Sequence, residues 1–275
     1  MLQINAPYQP LFGALGFTSA EAIVEFFRGP TPQAPGSVLV RSVTLASTGH
    51  SPVTVFYKQY EYQPAAWSFV GRASKARCEY HNYAVFRQLG VPCADPIACG
   101  EQRDGWSRLR RAFIITKAIP DAVPLPKFVE QDVVMRDPGR TEIKPEPAPP
   151  ERPRAILRRQ LAAWTRCIHD AGFFHNDLHW RNVLVTGRSS EEPKMWWIDC
   201  PRGSFARWWP WRYRRQIKDL ACLDKVASQY CSRGERVAFI REYLNEPRLS
   251  AAGKKLIRQV QSYRKTRWPE DWKGV

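Results

Sequence analysis

The segment from His175 to Asn182 constrains this chain more than any other, because six of its eight side chains are polar. It follows an amphipathic helix predicted from Ala155 to Ala171, whose apolar residues recur at helical spacing. Gly172 is the expected end of that helix, and the branched run that starts at Val183 predicts a strand. The segment is therefore predicted to be a loop that presents polar groups between two regular elements.

Two kinds of chemistry fit this loop. His175 and His179 are four residues apart and could bind zinc together if they shared one helix face, but the loop prediction argues against a helix here. The alternative is the pattern H-x-D-L-x-x-x-N, which is typical of a kinase catalytic loop. In that interpretation Asp177 accepts the proton of the attacking hydroxyl, and Asn182 binds magnesium through its amide oxygen.

Phosphoryl transfer also needs a second metal carboxylate and a cation on the nucleotide phosphates. Asp199 follows a short apolar strand, one hairpin after the loop, and is the predicted metal ligand. Lys58 stands near the end of a strand predicted from Val53 to Tyr60 and is the predicted phosphate-binding cation. An interior lysine needs a carboxylate partner, and Glu79 is the acidic residue on the inward face of the following helix.

The order of elements predicts two lobes. Strands are predicted at Val38–Ala46, Val53–Tyr60 and Ala112–Lys117, with a hairpin turn at 47–50, and the second half is helical. The other predicted helices are as follows: 18–28, begun by a capping box at Thr18, then Arg72–Leu89, Gln216–Tyr230, Glu235–Leu244 and Ala251–Trp268. We therefore expect an α+β chain with a β-rich lobe at 1–118 and a larger helical lobe at 119–275. A proline-rich loop is expected at 136–153.

Charge and cysteine usage narrow the functional classes. With 42 Lys and Arg against 26 Asp and Glu, the formal net charge of +16 favours an anionic partner such as an acidic membrane or a phosphorylated substrate. Nucleic acid is not expected, because no base-reading motif is visible. The seven cysteines form no C-x-x-C pair, which suits a reducing cytosol. Neither a secretory signal nor a membrane-spanning segment is visible.

These residues resemble the lipopolysaccharide kinase family, whose members phosphorylate heptose or Kdo sugars of the lipopolysaccharide core. The likeness runs from about Val38 to Val226. It rests on the following residues: Lys58, Glu79, Leu89–Pro92, Pro96, Gly100–Glu101, Phe113–Thr116, His175–His179, Asn182, Ile198–Asp199 and Lys218–Ala221. The resemblance implies a bilobal protein-kinase-like fold, ATP and Mg²⁺ as cofactors, and a lipopolysaccharide core or lipid A-linked sugar as acceptor. It also implies that Asp219, with His175, supports the catalytic loop.

The same resemblance implies a location. Such an enzyme would be cytoplasmic and peripheral, on the anionic cytoplasmic face of the inner membrane of a Gram-negative bacterium.

The chain departs from protein kinases in several places. There is no clear G-x-G-x-x-G, so Gly36 and Ser37, with Gly29, are the only candidates for a lid over the nucleotide. Asn176 replaces the arginine that often precedes the catalytic aspartate, which predicts a site that needs no activating phosphate.

The segment between Asp199 and Asp219 lacks an A-P-E motif and is rich in arginine and tryptophan. Its Arg202, Arg207 and Arg212 are candidate contacts for an anionic sugar acceptor. A solvated basic face is the plainer interpretation of the same residues.

Two other functions remain open from the sequence. A kinase for a small molecule, of the aminoglycoside or choline kinase type, would carry a similar loop, but the basic charge argues against cationic substrates. A non-catalytic pseudokinase regulator is the other alternative. It is disfavoured because the set Lys58, Glu79, Asp177, Asn182 and Asp199 is complete.

Overall fold

The computed structural model describes residues 1–28, 34, 36–134, 153–187 and 193–269. The predicted proline-rich loop lies outside the described residues apart from Pro153, and so does Gly29. The chain forms two compact units. The sheet unit comprises Met1–Gln88, Cys93–Ile119 and Asp199–Arg202, and the helical unit comprises Leu89–Pro92, Pro120–Ile198 and Gly203–Val275.

The sheet unit is built on five antiparallel strands. They are β1 (Leu2–Ile4), β2 (Val38–Ser47), β3 (His50–Ala66), β4 (Pro96–Arg103) and β5 (Leu109–Lys117), in the order β1-β4-β5-β3-β2. The hairpin predicted at 47–50 joins β2 to β3, and Gly49 supplies the positive φ that its tight turn requires. In the centre of the sheet Lys58 lies opposite Val40 on one side and Ile114 on the other.

Three helices pack with this sheet, namely α1 (Gln9–Ala14), α2 (Ala20–Phe26) and α3 (Lys75–Gln88). The capping residue of α2 is Ser19, whose side chain accepts the Ala22 N–H, so the capping box predicted at Thr18 was wrong by one position. Helix α3 begins at Lys75 rather than Arg72, because Ser74 accepts the Arg77 N–H and caps its first turn.

The core of the sheet unit joins α1, α2 and the sheet. Phe12, Ile23, Val55, Tyr57 and Ile97 are all fully buried there. Such burial is the main source of this unit's stability.

The helical unit contains five helices among its described residues. They are α4 (Leu125–Val134), α5 (Pro153–Asp170), α6 (Trp209–Tyr230), α7 (Arg233–Leu244) and α8 (Ala251–Arg267). Its short strands are β6 (Val123–Pro124), β7 (Phe173–Phe174), β8 (Val183–Thr186), β9 (Lys194–Trp197) and β10 (Ser204–Phe205). They form a three-stranded sheet in the order β6-β8-β9 and a separate pair of β7 with β10.

Helix α6 starts seven residues before the predicted Gln216. Pro210 lies in its first turn, where a proline loses no hydrogen bond and its fixed φ suits the helix. Inside the unit Ala162, Leu220, Tyr243, Leu256 and Val260 form a buried cluster. Within the described residues, none of the helices has the length and apolar character needed to span a bilayer.

Candidate active site

Three predicted site residues meet within the sheet unit. The Lys58 ammonium lies 3.2 Å from Glu79 Oε2 and 2.5 Å from Asp199 Oδ1. Strand β3 delivers the lysine, helix α3 delivers the glutamate, and Asp199 belongs to the short segment that completes this unit. The Glu79 side chain is 3% exposed and that of Asp199 is 36% exposed, so solvent reaches Asp199 but hardly reaches Glu79.

Helix α3 fixes the position of Asp199 through two further side chains. Tyr83 accepts the Asp199 N–H at 3.0 Å and donates its own hydroxyl to Glu79 at 3.1 Å. Asn82 donates to the carbonyl of Cys200 at 2.7 Å. These residues lie three and four positions after Glu79, so one face of the helix holds both the lysine partner and the backbone that carries Asp199.

The electrostatic state of this cluster follows from its contacts. Burial alone would lower the pKa of Lys58, but the carboxylates of Glu79 and Asp199 outweigh it and raise that pKa above its usual value. Lys58 therefore stays cationic. Burial raises the pKa of Tyr60 far above its usual range, and the Tyr60 hydroxyl donates to Glu79 at 3.2 Å. A fixed cation beside a partly open carboxylate can hold phosphate oxygens and a metal ion.

In the helical unit, the loop backbone organises Asp177 and Asn182. Asn182 donates its side-chain amide to the carbonyl of Asp177 at 2.8 Å, and the His179 N–H donates to the same carbonyl at 2.8 Å. Because a carbonyl can only accept, the amide nitrogen of Asn182 must face it, which turns the amide oxygen away as a group able to bind metal.

The Asp177 carboxylate itself has only loose neighbours. Its oxygens lie 3.5 Å from His179 Nε2 and 3.7 Å from Arg181 Nη2. Burial lowers the pKa of His179, partly opposed by Asp177, so the imidazole is neutral near pH 7. The Asp177 side chain is 26% exposed. This carboxylate is therefore accessible from solvent.

A buried carboxylate holds the start of the loop. Asp219 on α6 is fully buried, and its Oδ2 accepts the backbone N–H of His175 at 2.8 Å. The same oxygen lies 3.3 Å from His169 Nε2, and the other ring nitrogen of His169 lies 2.8 Å from the hydroxyl of Tyr243 on α7. The His175 ring is buried and packs edge-on against Trp197. Asp219 thus ties the loop to both α5 and α6.

The backbone then turns sharply before the predicted base. Asn176 adopts a left-handed φ of 64°, a conformation that asparagine tolerates better than most residues. This turn directs the chain from the buried His175 toward the more accessible Asp177.

The remaining predicted residues are dispersed. Gly36 has a φ of 74°, and the carbonyl of Ser37 accepts the Glu61 N–H at 3.1 Å, which ties the start of β2 to β3. Arg202 is exposed in the sheet unit, and Arg207 is exposed in the helical unit. Arg212 donates to the carbonyls of His169 and Asp170 at the end of α5, so it has a structural role in the helical unit.

No sequence motif identified Asn82, Tyr83 or Tyr60 as site residues. Their spacing from Glu79 was the available signal for Asn82 and Tyr83. For a metal, the described residues contain no group of three or more His, Cys, Asp or Glu side chains that could hold an ion.

Comparison with known proteins adds a family match. A family model described as the lipopolysaccharide kinase (Kdo/WaaP) family matches residues 65–243, which is more than half of the chain. None of the curated proteins compared with the chain matches it.

Similar solved structures identify the fold. One described as WaaP in complex with acyl carrier protein has a TM-score of 0.67 and 21% identity, and the match covers 99% of this chain and 100% of that one. A Drosophila melanogaster PAN3 pseudokinase has a TM-score of 0.43 at 14% identity, covering 88% and 67%. The Rio2 kinase of Chaetomium thermophilum has a TM-score of 0.42 at 14% identity, covering 84% and 71%. The similarity to the WaaP structure confirms the predicted protein-kinase-like fold.

Proposed function

Because the chain belongs to the lipopolysaccharide kinase (Kdo/WaaP) family, we propose that it transfers the γ-phosphate of ATP to a sugar hydroxyl, of heptose or Kdo, in the lipopolysaccharide core. The observation that carries the proposal is the cluster of Lys58, Glu79 and Asp199. A lysine that stays cationic between one buried and one partly exposed carboxylate can bind nucleotide phosphates, and the exposed carboxylate can bind their metal ion. A surface lysine on a strand would need no such enclosure.

In the proposed reaction each residue has a separate task. Lys58 binds phosphate oxygens of ATP, and Glu79 holds the lysine in place. Asp199 and Asn182 would hold Mg²⁺, which would neutralise charge on the phosphates. Asp177 orients the acceptor hydroxyl and accepts its proton as the oxygen attacks the γ-phosphorus, and the bond from that phosphorus to the β–γ bridging oxygen breaks to release ADP. The loose contacts of the Asp177 carboxylate leave its oxygens available for that proton.

Other residues support these tasks in the proposal. Asp219 and His175 fix the start of the catalytic loop, and Gly36 and Ser37 cover the nucleotide. Arg202 and Arg207 contact anionic groups of the acceptor, whose phosphates or carboxylate suit a guanidinium. We leave Arg212 out of the acceptor site because it already bonds two backbone carbonyls. The enzyme would work in the cytoplasm, at the inner membrane that holds its acceptor.

The proposed function can be tested in cells. Mass analysis of lipopolysaccharide from cells with and without the gene should show one phosphate missing from the core sugars when the gene is absent. Wild-type protein should restore that phosphate, and Asp177→Asn should not. An identical set of phosphorylated species in both cell types would contradict the proposed acceptor.

We further propose a protein partner. The WaaP structure that matches this chain was solved in complex with acyl carrier protein. In this chain the helical unit contains a cavity of about 410 Å³, and its lining is rich in leucine, including Leu157, Leu161, Leu220 and Leu223. An apolar cavity of this size suits an alkyl chain. We propose that it takes the acyl group of an acyl carrier protein.

This partner proposal has a matched pair of variants. Leu161→Trp fills the cavity, whereas Ala163→Trp adds the same ring to an exposed position of the same helix. Binding of an acylated carrier protein, measured by calorimetry, should weaken for Leu161→Trp only. Binding of the non-acylated carrier protein should be equal for both variants. Equal affinity of both variants for the acylated form would contradict the proposal.

A further inference from the structure

An aromatic patch lies on the surface of the helical unit. It consists of Phe205, Trp208, Trp209 and Trp211, which are 57%, 77%, 73% and 58% exposed. Twelve large hydrophobic residues are exposed in the described parts of the chain, and four of them fall within these seven positions. Scattered exposed hydrophobic residues are ordinary, whereas exposed aromatic residues concentrated in one short segment indicate a binding surface.

The backbone beneath the patch is firmly held. The Ala206 N–H donates to the carbonyl of Gly172 at 2.9 Å, and Arg215 donates to the Ser204 hydroxyl at 2.8 Å. The Phe205 ring packs edge-on against Phe173, with ring centres 5.2 Å apart. The segment is thus fixed to the helical unit while its rings remain exposed.

The tryptophans on α6 are oriented by stacking. Trp209 stacks on Tyr213 with an interplanar angle of 7°, and Tyr213 bonds Gln259 on α8. The Arg214 guanidinium lies over the Trp211 ring, 5.6 Å from its centre. These rings therefore present an ordered, partly cationic surface.

The charge of this region is of one sign. Residues 200–218 contain five arginines and one lysine and no acidic residue. Arg212 and Arg215 bond backbone carbonyls of the helical unit, whereas Arg207 and Arg214 are exposed among the aromatic rings. Exposed aromatic rings interleaved with arginine match the boundary of an anionic bilayer, where rings enter the headgroup layer and guanidinium groups meet lipid phosphates.

An exposed tryptophan in the sheet unit differs from the aromatic patch in the charge of the residues near it. In the sheet unit Trp106 is 74% exposed, but the nearby Arg108 is paired with Asp104 at 2.7 Å. Its positive charge is thereby offset. The aromatic patch combines exposed rings with arginines that have no acidic residue close by in sequence.

We propose that the aromatic patch, with Arg214, docks this protein onto an anionic lipid bilayer. Docking depends on lipid alone and goes beyond the proposed phosphoryl transfer, so it requires neither ATP nor a sugar acceptor. The protein would lie on the membrane with the start of α6 in the headgroup layer.

The test uses the full chain and vesicles of phosphatidylcholine with phosphatidylglycerol, free of lipopolysaccharide. Wild-type protein should co-sediment with them, and the variant Trp208→Ala/Trp209→Ala/Trp211→Ala should lower the partition coefficient by about tenfold or more. Trp106→Ala removes an equally exposed ring from the sheet unit and should leave partitioning unchanged. Equal melting temperatures of wild type and the triple variant show that both are folded.

Charge provides a second, independent readout. Arg214→Gln should lower the partition coefficient by about fivefold, whereas Arg248→Gln, an exposed arginine away from the patch, should have little effect. Tryptophan fluorescence of wild type should shift to the blue on adding vesicles. Failure of the wild type to bind, or equal binding by wild type and the triple variant, would overturn the proposal. So would a triple variant that dissociates a dimer in gel filtration while binding vesicles normally, because the patch would then be an interface between copies.

Discussion

The cluster in the sheet unit and the loop in the helical unit are held in different ways. The Lys58 side chain bonds the side chains of both Glu79 and Asp199, and the Tyr83 hydroxyl bonds Glu79 and the backbone of Asp199. In the loop the bonds run through the backbone, and the charged neighbours of the Asp177 carboxylate lie at 3.5 Å and 3.7 Å.

In the proposed function these two arrangements have different tasks. A cluster of this kind is assembled before any ligand arrives and should contribute to stability. A carboxylate on a rigid backbone with loose contacts contributes little to stability but is available to substrate. Mutation of the cluster should therefore mainly lower the free energy of unfolding, whereas mutation of the Asp177 carboxylate should mainly lower turnover.

Turnover in the loop should show the strongest response. Asp177→Asn should lower kcat by a factor of about 10²–10⁴, because the amide cannot accept the hydroxyl proton. The free energy of unfolding should change by less than about 0.5 kcal/mol, since the carboxylate makes only loose contacts. Steady-state kinetics and urea denaturation of the same preparation check both parts. A variant that turns over normally would remove Asp177 as the base.

Stability in the sheet unit should respond next most strongly. Glu79→Ala should lower the free energy of unfolding by about 3 kcal/mol, because it leaves the enclosed Lys58 ammonium without its sealed partner. The KM for ATP should rise as well, since the lysine loses its fixed position. Chemical denaturation and kinetics measure these changes. Asp177→Asn is the matched control. Equal free energies of unfolding for the two variants would contradict the predicted difference between the cluster and the loop.

A weaker effect is expected at Tyr83. Tyr83→Phe removes the hydroxyl that links Asp199 to Glu79 and should cost about 1–2 kcal/mol of stability. The apparent affinity for Mg²⁺ should weaken, because Asp199 loses the contact that fixes its backbone. Tyr80→Phe, on the same helix, removes a hydroxyl outside the cluster and serves as control. If both variants need the same magnesium concentration for half-maximal activity, Tyr83 does not position Asp199.

The weakest effect is a pH dependence in the loop. Burial lowers the pKa of His179 in the folded chain below its usual value of 6.5, so the unfolded chain binds the proton more readily. His179 therefore contributes stability that is present above that value and is lost as the pH falls through and below it. Melting temperatures measured across this range should fall less steeply for His179→Gln than for wild type. Parallel curves would show that His179 does not titrate in this way.

Local patterns predicted much of the fold. Two predicted strands with turn residues at 47–50 between them predicted the β2–β3 hairpin, and β8 starts at the predicted Val183. Strand β4 was not predicted from the sequence. All but two of its residues are buried, so polar and apolar residues do not alternate along it. Strand β1 was not predicted either, because a strand of three residues has almost no periodic pattern and its partner strand β4 lies almost a hundred positions away.

For the candidate site too, some features could be predicted from the sequence and others could not. The order of residue types along the chain predicted a phosphoryl-transfer site, and the predicted pairing of Lys58 with Glu79 is present at 3.2 Å, as burial of a charged strand residue requires. The spacing of Asn82 and Tyr83 from Glu79 places them near its helix face, but it does not reveal that they bond Cys200 and Asp199, which lie more than a hundred residues away. The structural role of Arg212 likewise depends on where α5 ends, which sequence spacing does not reveal.

The proposals about this site all depend on the chain being an active sugar kinase whose base is Asp177. The decisive experiment incubates the purified protein with ATP, Mg²⁺ and lipopolysaccharide core lacking sugar phosphates, followed by mass spectrometry of the acceptor. We expect wild type to add a phosphate and Asp177→Asn to add none, although both bind ATP with similar affinity in calorimetry. Wild-type protein that binds ATP but leaves the acceptor unmodified, or an Asp177→Asn variant that modifies it equally well, would contradict this assignment.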